Sequence, residues 1–385
     1  MTPVSMKNFA VFGAALLGAA MVAPSYRTAY ADAAPERGIV SLKYLNYQDW
    51  QTGDKPLTAG MTQDRVSVEA FSLMGMVPIA GEWSLAVTLM KDTVTGASPA
   101  HHTADIMHLH DLRKSGDIQL TRYFSRGSLT GGLSYSQEND YISRGASLQG
   151  SWETEEKNTT WTLGSSFSDD SVEPNFPGFG QKEKKSVAGL IGVTRVLTKN
   201  DIVQVNLGYS HITGYTSDPY RYYDNRPDLR NIVTALCRWN HHFDAGEGTV
   251  RLSYRYYRDT WSIRAHTFDA EYVQPLLPGL SITPAVRLYT QTGADFYLPV
   301  NPADPSNPAI PPAGQIHYSE DQRLSAFGAL TLGFKVSWEI GKEWTVDGKY
   351  DHYEQRGEWS LAGTRDTGLA TFKAHYFQFG VSRLL

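Results

Sequence analysis

The chain has 385 residues, and its 40 acidic against 35 basic side chains leave a net charge of −5, a balance that argues against nucleic acid as a partner. Cys237 is the only cysteine, which excludes an intramolecular disulfide and any cysteine-based zinc or iron–sulfur cluster. The 22 Tyr, 9 Trp and 34 scattered Gly suit pleated strands with interfacial aromatic belts.

At the N-terminus, Lys7 precedes an apolar run from Phe9 to Ala23, followed by small residues at Ala29, Ala31 and Ala33. This is the layout of an export signal, 1–31, with cleavage expected after Ala31 or Ala33. A short periplasmic segment, 32–37, would then lead into a barrel over 38–385. No later stretch offers the roughly twenty uninterrupted apolar residues of a membrane helix, so a membrane location requires strands.

Two-residue alternation supplies them. In Trp83 to Leu89, large apolar residues occupy one parity and small or polar ones the other, the signature of a strand with one oily face. The same pattern recurs along the chain and predicts sixteen strands. In the first half they fall at about 38–48, 63–77, 82–92, 115–125, 128–138, 141–152, 159–169 and 185–197. The second half gives 201–211, 228–240, 248–259, 262–273, 280–291, 321–336, 343–355 and 370–385. Every second connection is short, and all the long ones fall on the other side, as in outer-membrane barrels with short periplasmic turns and long extracellular loops.

Aromatics on the oily parity partition between the two ends. Trp83, Trp152, Trp161, Trp239 and Trp344 stand beside short turns, and Tyr135, Phe167, Tyr209, Tyr256 and Tyr350 at the opposite ends, predicting two interfacial girdles. The last strand places Phe377, Phe379 and Val381 on one parity with Leu385, like the terminal strand that barrel assembly machinery recognises. It departs from that pattern in ending on Leu and in putting Arg383 on the apolar parity. The expected fold is therefore all-β: a single closed antiparallel transmembrane barrel of about sixteen strands, with fourteen or eighteen possible. Its expected location is the bacterial outer membrane, in contact with lipid and lipopolysaccharide.

Several segments, DTVTGAS at 92–98, GYTSDPY at 214–220, RPD at 226–228, YRYYRDTW at 254–261, RLYTQTGADFY at 287–297 and DQRLSAFG at 321–328, resemble domain-of-unknown-function family 3570. The resemblance implies an outer-membrane barrel of bacterial origin and carries no catalytic or ligand residues.

Those segments bring Asp92, Asp218, Tyr220, Arg226, Asp259, Asp295, Tyr297, Asp321 and Arg323 to the outer strand ends and loops. They form either a ligand or cation site at the barrel mouth or a set of ion pairs tying loops to the rim. His101, His102, His108 and His110 fall together in one outer loop and are the candidates for metal ligands. On the inward parity, one wall is small and neutral (Thr130, Gly132, Ser134, Thr160, Thr162, Gly164, Ser166). The other carries Arg251, Arg255, Arg287, Asp347, Lys349 and Asp351, charges that either line an aqueous lumen or pair with one another and fill it. No nucleophile elbow or dinucleotide fingerprint occurs, so no cofactor and no enzyme activity are expected. The function expected is passage or binding of small polar solutes or ions; a plugged scaffold for partner proteins and a rim enzyme stand as alternatives.

Overall fold

The structure is a computed structural model that describes residues 34–52, 64–97, 108–174, 178–221, 223–299, 310–363, 365, 366 and 368–385. The expected leader and both of its cleavage positions lie outside the described residues, as do His101 and His102.

The chain forms a closed antiparallel barrel of sixteen strands, plus a two-stranded ribbon in its loops. In order, the strands are β1 (Ile39–Thr52), β2 (Asp64–Ile79), β3 (Trp83–Ala97), β4 (His108–Phe124), β5 (Gly127–Gln137), β6 (Tyr141–Glu153), β7 (Thr159–Val172), β8 (Lys182–Val196) and β9 (Asp201–Gly214). The ribbon strand β10 (Asp224–Asn225) is followed by β11 (Leu229–His242), β12 (Thr249–Asp259), β13 (Arg264–Leu277) and β14 (Leu280–Gln291). The second ribbon strand, β15 (Tyr318–Ser319), precedes β16 (Phe327–Ile340), β17 (Trp344–Arg356) and β18 (Thr371–Leu384). Successive barrel strands pair throughout, and β1 pairs with β18 to close the ring.

Closure is what the sequence demands, because the parity that alternation marks as oily points away from the axis all round. Leu42, Leu133, Leu163, Leu207, Leu288 and Leu332 are each at least half exposed, a continuous apolar band that water would not tolerate. With that band in lipid, every backbone donor and acceptor of a strand must find a neighbouring strand, which an open sheet cannot arrange. Even the shortest barrel strands, β5 and β12, with 11 residues each, clear a hydrocarbon layer of about 25 Å at the usual tilt. Among the described residues no helix is long and apolar enough to cross a membrane.

Turns of two to six residues close one end, and the described parts of the connections 215–228, 292–326 and 357–370 gather at the other. We call these the short-turn and long-loop ends. All sixteen expected strands are present, with two displacements. β4 begins at His108 rather than near 115, so His108 and His110 belong to a strand and not, as expected, to a loop. Polar residues occupy both parities from His108 to Arg113, so the strand's continuation leaves no alternation to read. The strand expected at 321–336 starts instead at Phe327 and runs to Ile340. Asp321 caps a 3-10 turn, Gln322–Leu324, by accepting a hydrogen bond from the Arg323 amide, which stops the extended chain from reaching back to 321.

Arg383, anomalous on the apolar parity, is explained by its place at the short-turn rim. Its guanidinium lies 5.2 Å from the Trp344 ring centroid and 3.3 Å from Glu343, so its stem lies on an aromatic while its charge is paired.

Candidate functional site

Two places concentrate polar chemistry: the long-loop mouth and the wall of the bore.

At the mouth, the connections β9–β11 and β14–β16 fold together through the β10–β15 ribbon, where Asp224 pairs with Ser319 and Asn225 with Tyr318. Beneath the ribbon lies an apolar core of Trp261, Ile263, Ala294, Phe296 and Leu324, with Trp261 edge-on to Phe296 at 5.3 Å. Burying side chains of this size is worth about 1.5–3 kcal/mol each, so the loops carry their own packed centre.

A buried ion network sits against it. Asp321, fully buried, accepts from Arg226 at 2.8 Å and from Arg323 Nε at 2.8 Å, with Arg221 at 3.5 Å. Arg226 also binds Asp224 at 2.8 Å, while Asp218 faces Arg221 at 3.4 Å and Arg323 at 3.6 Å. Ser319 donates to Asp224 at 2.5 Å and, through its hydroxyl, accepts from the Asp321 amide. Three carboxylates thus face three guanidiniums. Burial alone would raise the Asp321 carboxyl, but the attraction of Arg221, Arg323 and Arg226 holds it well below the ordinary carboxylate value of 3.8. Asp224 goes the other way, because its burial outweighs the pull of Arg226.

These opposite shifts fix the pH behaviour. A carboxyl depressed in the folded state gives stability that is full above its unfolded value and lost as pH falls through its folded value. A raised one loses no stability on acidification. Protease susceptibility of the ribbon loops should therefore stay flat from neutral pH down to about 3.8 and rise only in stronger acid. Loosening already at pH 5–6 would contradict the assignment.

Of the other expected rim residues, Tyr220 and Tyr297 flank the network, the first through its amide on Asp218 and the second as a backbone partner of Ser319, and the rest stand separately around the mouth. Asp92 binds Arg113 at 2.7 Å. Asp259 binds Arg230 at 2.6 Å and accepts from Tyr257 at 2.8 Å. Ser262 donates to Asp295, Tyr297 donates to Asp366 at 2.6 Å, and Tyr220 donates to Asp140. The structure thus joins Asp218, Arg226, Asp321 and Arg323 in one network and keeps Asp92, Asp259 and Asp295 apart. Each of those carboxylates faces a guanidinium or a hydroxyl, the arrangement of loop ties. Among the described residues no group of three His, Cys, Asp or Glu is placed to hold a metal ion.

Tyr297–Asp366 and Tyr220–Asp140 extend these ties to the β17–β18 loop and the β5–β6 turn. Gln51 on β1 donates to Gln322 at 3.0 Å, so the long connection reaches across the mouth. Below that contact, Leu45, Tyr47, Val66, Val68, Ala70, Phe372 and Ala374 pack inside the barrel.

In the bore, Arg251, Arg255, Arg287, Asp347, Lys349 and Asp351 all lie on the inward parity. Lys349 bonds Asp351 at 2.7 Å, Arg287 bonds Asp269 at 2.5 Å, and Arg251 approaches Glu271 to 3.9 Å. Even so paired, Arg251 and Arg287 keep 51% and 52% of their side-chain surface accessible. The facing arc on β5 to β9 is lined by glycines, hydroxyls and amides: a Cβ on Gly132 would meet Ser147, one on Gly192 would meet Asn206, and one on Gly208 would meet Thr234 of neighbouring β11.

Missed in the sequence were Lys43, Arg238, Asp269, Glu271 and Lys335 of the wall, although each shares the inward parity of its strand and was open to the same reading. Arg221, Asp224 and Arg230 at the mouth were missed for another reason: Arg221 lies in irregular backbone, Asp224 in a ribbon strand of two residues, too short to show a period, and Arg230 stands at a strand end where only its partner identifies it.

Of the expected girdle, Trp152, Trp161, Trp239 and Trp344 project outward at the short-turn end, and Tyr135, Phe167, Tyr209 and Tyr350 toward the other, all exposed. Trp83 and Tyr256 share the outward parity and are half-buried.

A closed sixteen-stranded antiparallel barrel with an outward apolar band and a polar interior is the architecture of an outer-membrane β-barrel protein. The chain belongs to the family described as protein of unknown function (DUF3570), which matches residues 99–178 and 178–380. Among solved structures, a bacterial polysaccharide outer membrane secretin is 8% identical with a TM-score of 0.50, over 90% of this chain and 98% of that one. The siderophore receptor PirA from Pseudomonas aeruginosa is 7% identical with a TM-score of 0.46, over 84% of this chain; the present chain spans 57% of that receptor. A Pseudomonas aeruginosa FadL homologue is 10% identical with a TM-score of 0.44, over 90% of each chain. At such identities the likeness is one of fold. No curated protein matches the chain.

Proposed function

We propose that the protein is an outer-membrane channel for small polar solutes or ions, entered through a loop-built mouth at the cell surface. One observation carries the reading: inward-facing Arg251 and Arg287 remain half accessible. Charged groups pointing into a bore packed solid by side chains would be buried, whereas these retain room for water and solute beside them. The small-residue arc opposite provides that room, since glycine and serine occupy the positions where larger side chains would fill a barrel of this size.

On β1 and β11 to β18, away from the end pairs, the inward cations Lys43, Arg238, Arg251, Arg255, Arg287, Lys335 and Lys349 outnumber the carboxylates Asp269, Glu271, Asp347 and Asp351. The field of that wall favours anions and polar solutes. The interlocked loops narrow the entrance on the β1 side, so access is selective. Refolded protein in a planar lipid bilayer should give discrete current steps; a membrane that stays silent at all voltages, with folded barrel shown to be inserted, would sink the proposal and leave a plugged scaffold.

A further inference from the structure

The outward surface carries a pattern that neither the bore nor the mouth explains. Arg258 on β12 and Arg264 on β13 are direct cross-strand partners, as are Lys91 on β3 and Lys114 on β4. Parity places all four on the outward face at the long-loop end: Arg258 continues the row of Tyr254 and Tyr256, and Lys91 that of Val87 and Leu89. All four are exposed, and none has an ion-pair partner among the described residues.

Like charges directly opposite each other on paired strands are destabilising. Elsewhere at this height the outward charges are matched. Asp169 stands opposite both Arg144 and Lys185, and Glu354 is held by Arg356 and, at 3.6 Å, by Lys373. Carboxylates beside the two like pairs are engaged otherwise: Asp259 with Arg230, Asp92 with Arg113, and Glu69, on the strand next to Lys91, with the Tyr44 hydroxyl at 3.3 Å. Each pair also stands on an apolar or aromatic row. Tyr256 and His266 are partners one step below Arg258 and Arg264, with Tyr254 Oη 2.7 Å from His266 Nδ1. Leu89 and Gly116, the latter beside Tyr135, lie below Lys91 and Lys114.

Two unmatched cations a strand spacing apart, over an apolar track, are complementary to an anion that carries hydrocarbon chains. We propose that Arg258–Arg264 and Lys91–Lys114 are two clamps for phosphate groups of the outer-leaflet glycolipid, lipopolysaccharide, whose acyl chains run down the rows beneath. The phosphate would replace like-charge repulsion with charge-assisted hydrogen bonds to both partners. This inference rests on the outer-membrane placement proposed above.

The test is native mass spectrometry of the full chain purified in detergent, with bisphosphorylated lipid A, dephosphorylated lipid A and inorganic phosphate as probes. The variants are Arg258→Gln with Arg264→Gln, Lys91→Gln with Lys114→Gln, and Arg258→Glu. The last converts a like pair into a cross-strand ion pair and so keeps the barrel folded. Wild type should retain two bisphosphorylated lipid A molecules and prefer them to the dephosphorylated lipid, and each double variant and Arg258→Glu should retain one, its altered clamp weakened by about tenfold or more. Equal binding of the two lipids, or equal binding by wild type and variants, overturns the clamps; so does inorganic phosphate occupying them as well as lipid A. Because these side chains lie outside the bore, the same variants should conduct as wild type does. A barrel that conducts but ignores lipid phosphate therefore refutes the clamps alone.

Discussion

Asp321→Ala should release the loops from the mouth. The substitution leaves Arg221, Arg226 and Arg323 turned toward a buried space with their shared carboxylate gone, and removing one partner from a buried charge network costs about 3–5 kcal/mol. That is comparable to the whole contribution of one or two side chains of the apolar core beneath. The β10–β15 ribbon should therefore come apart while the barrel, held by its own strand pairing, stays closed. Limited proteolysis should cut within 215–228 and 310–326 in the variant and spare wild type, and single-channel current should rise as the entrance widens. An unchanged digestion pattern would mean that the apolar core alone holds the loops. Replacing the carboxylate together with Arg226 by apolar side chains of similar volume should restore much of the protection, since a buried pair is often no more stable than a well-packed apolar substitute.

The second large effect belongs to the wall. Arg251, Arg255 and Arg287 reach into the bore from two strands, and only partial pairing with Glu271 and Asp269 offsets them. With all three replaced by Gln, Asp269, Glu271, Asp347 and Asp351 would face only Lys43, Arg238, Lys335 and Lys349, and the positive excess of the wall should vanish. In a salt gradient the zero-current potential should move toward cation preference, with a change of roughly twofold or more in the anion-to-cation permeability ratio. The variant should fold as wild type, because these groups are half exposed and exposed ion pairs contribute only about 0–1 kcal/mol. A zero-current potential that does not move would show that ions pass elsewhere, against the neutral arc.

The barrel was legible in the sequence because lipid imposes a rule on every strand: one parity must be apolar, so Val203, Val205, Leu207 and Tyr209 announce both a strand and its orientation. Legibility failed where that rule lapses. From His108 to Arg113 both parities mix polar residues with a leucine, Leu109 on one and Leu112 on the other, and the alternation vanishes although the pairing continues. At Asp321 a side chain captures the backbone amide two residues on, a local hydrogen bond that hydrophobic periodicity cannot report. The mouth was half legible. The residue types of Asp218, Arg226, Asp321 and Arg323 marked them out, but which of them touch depends on the meeting of two loops nearly a hundred residues apart. Arg221 and Asp224, which complete the charge balance, had no pattern to reveal them.

The pairing of β1 with β18 has a temporal consequence. Ile39 meets Leu384 and Thr52 meets Thr371, so the last barrel strand supplies the neighbour of the first. Until it arrives, the growing sheet exposes two unsatisfied edges, each a template for misassociation, and bringing such distant segments together demands a large loop-closure entropy. The seam is therefore expected to close last, and a chain lacking β18 should be left as an open, aggregation-prone sheet rather than a narrower ring.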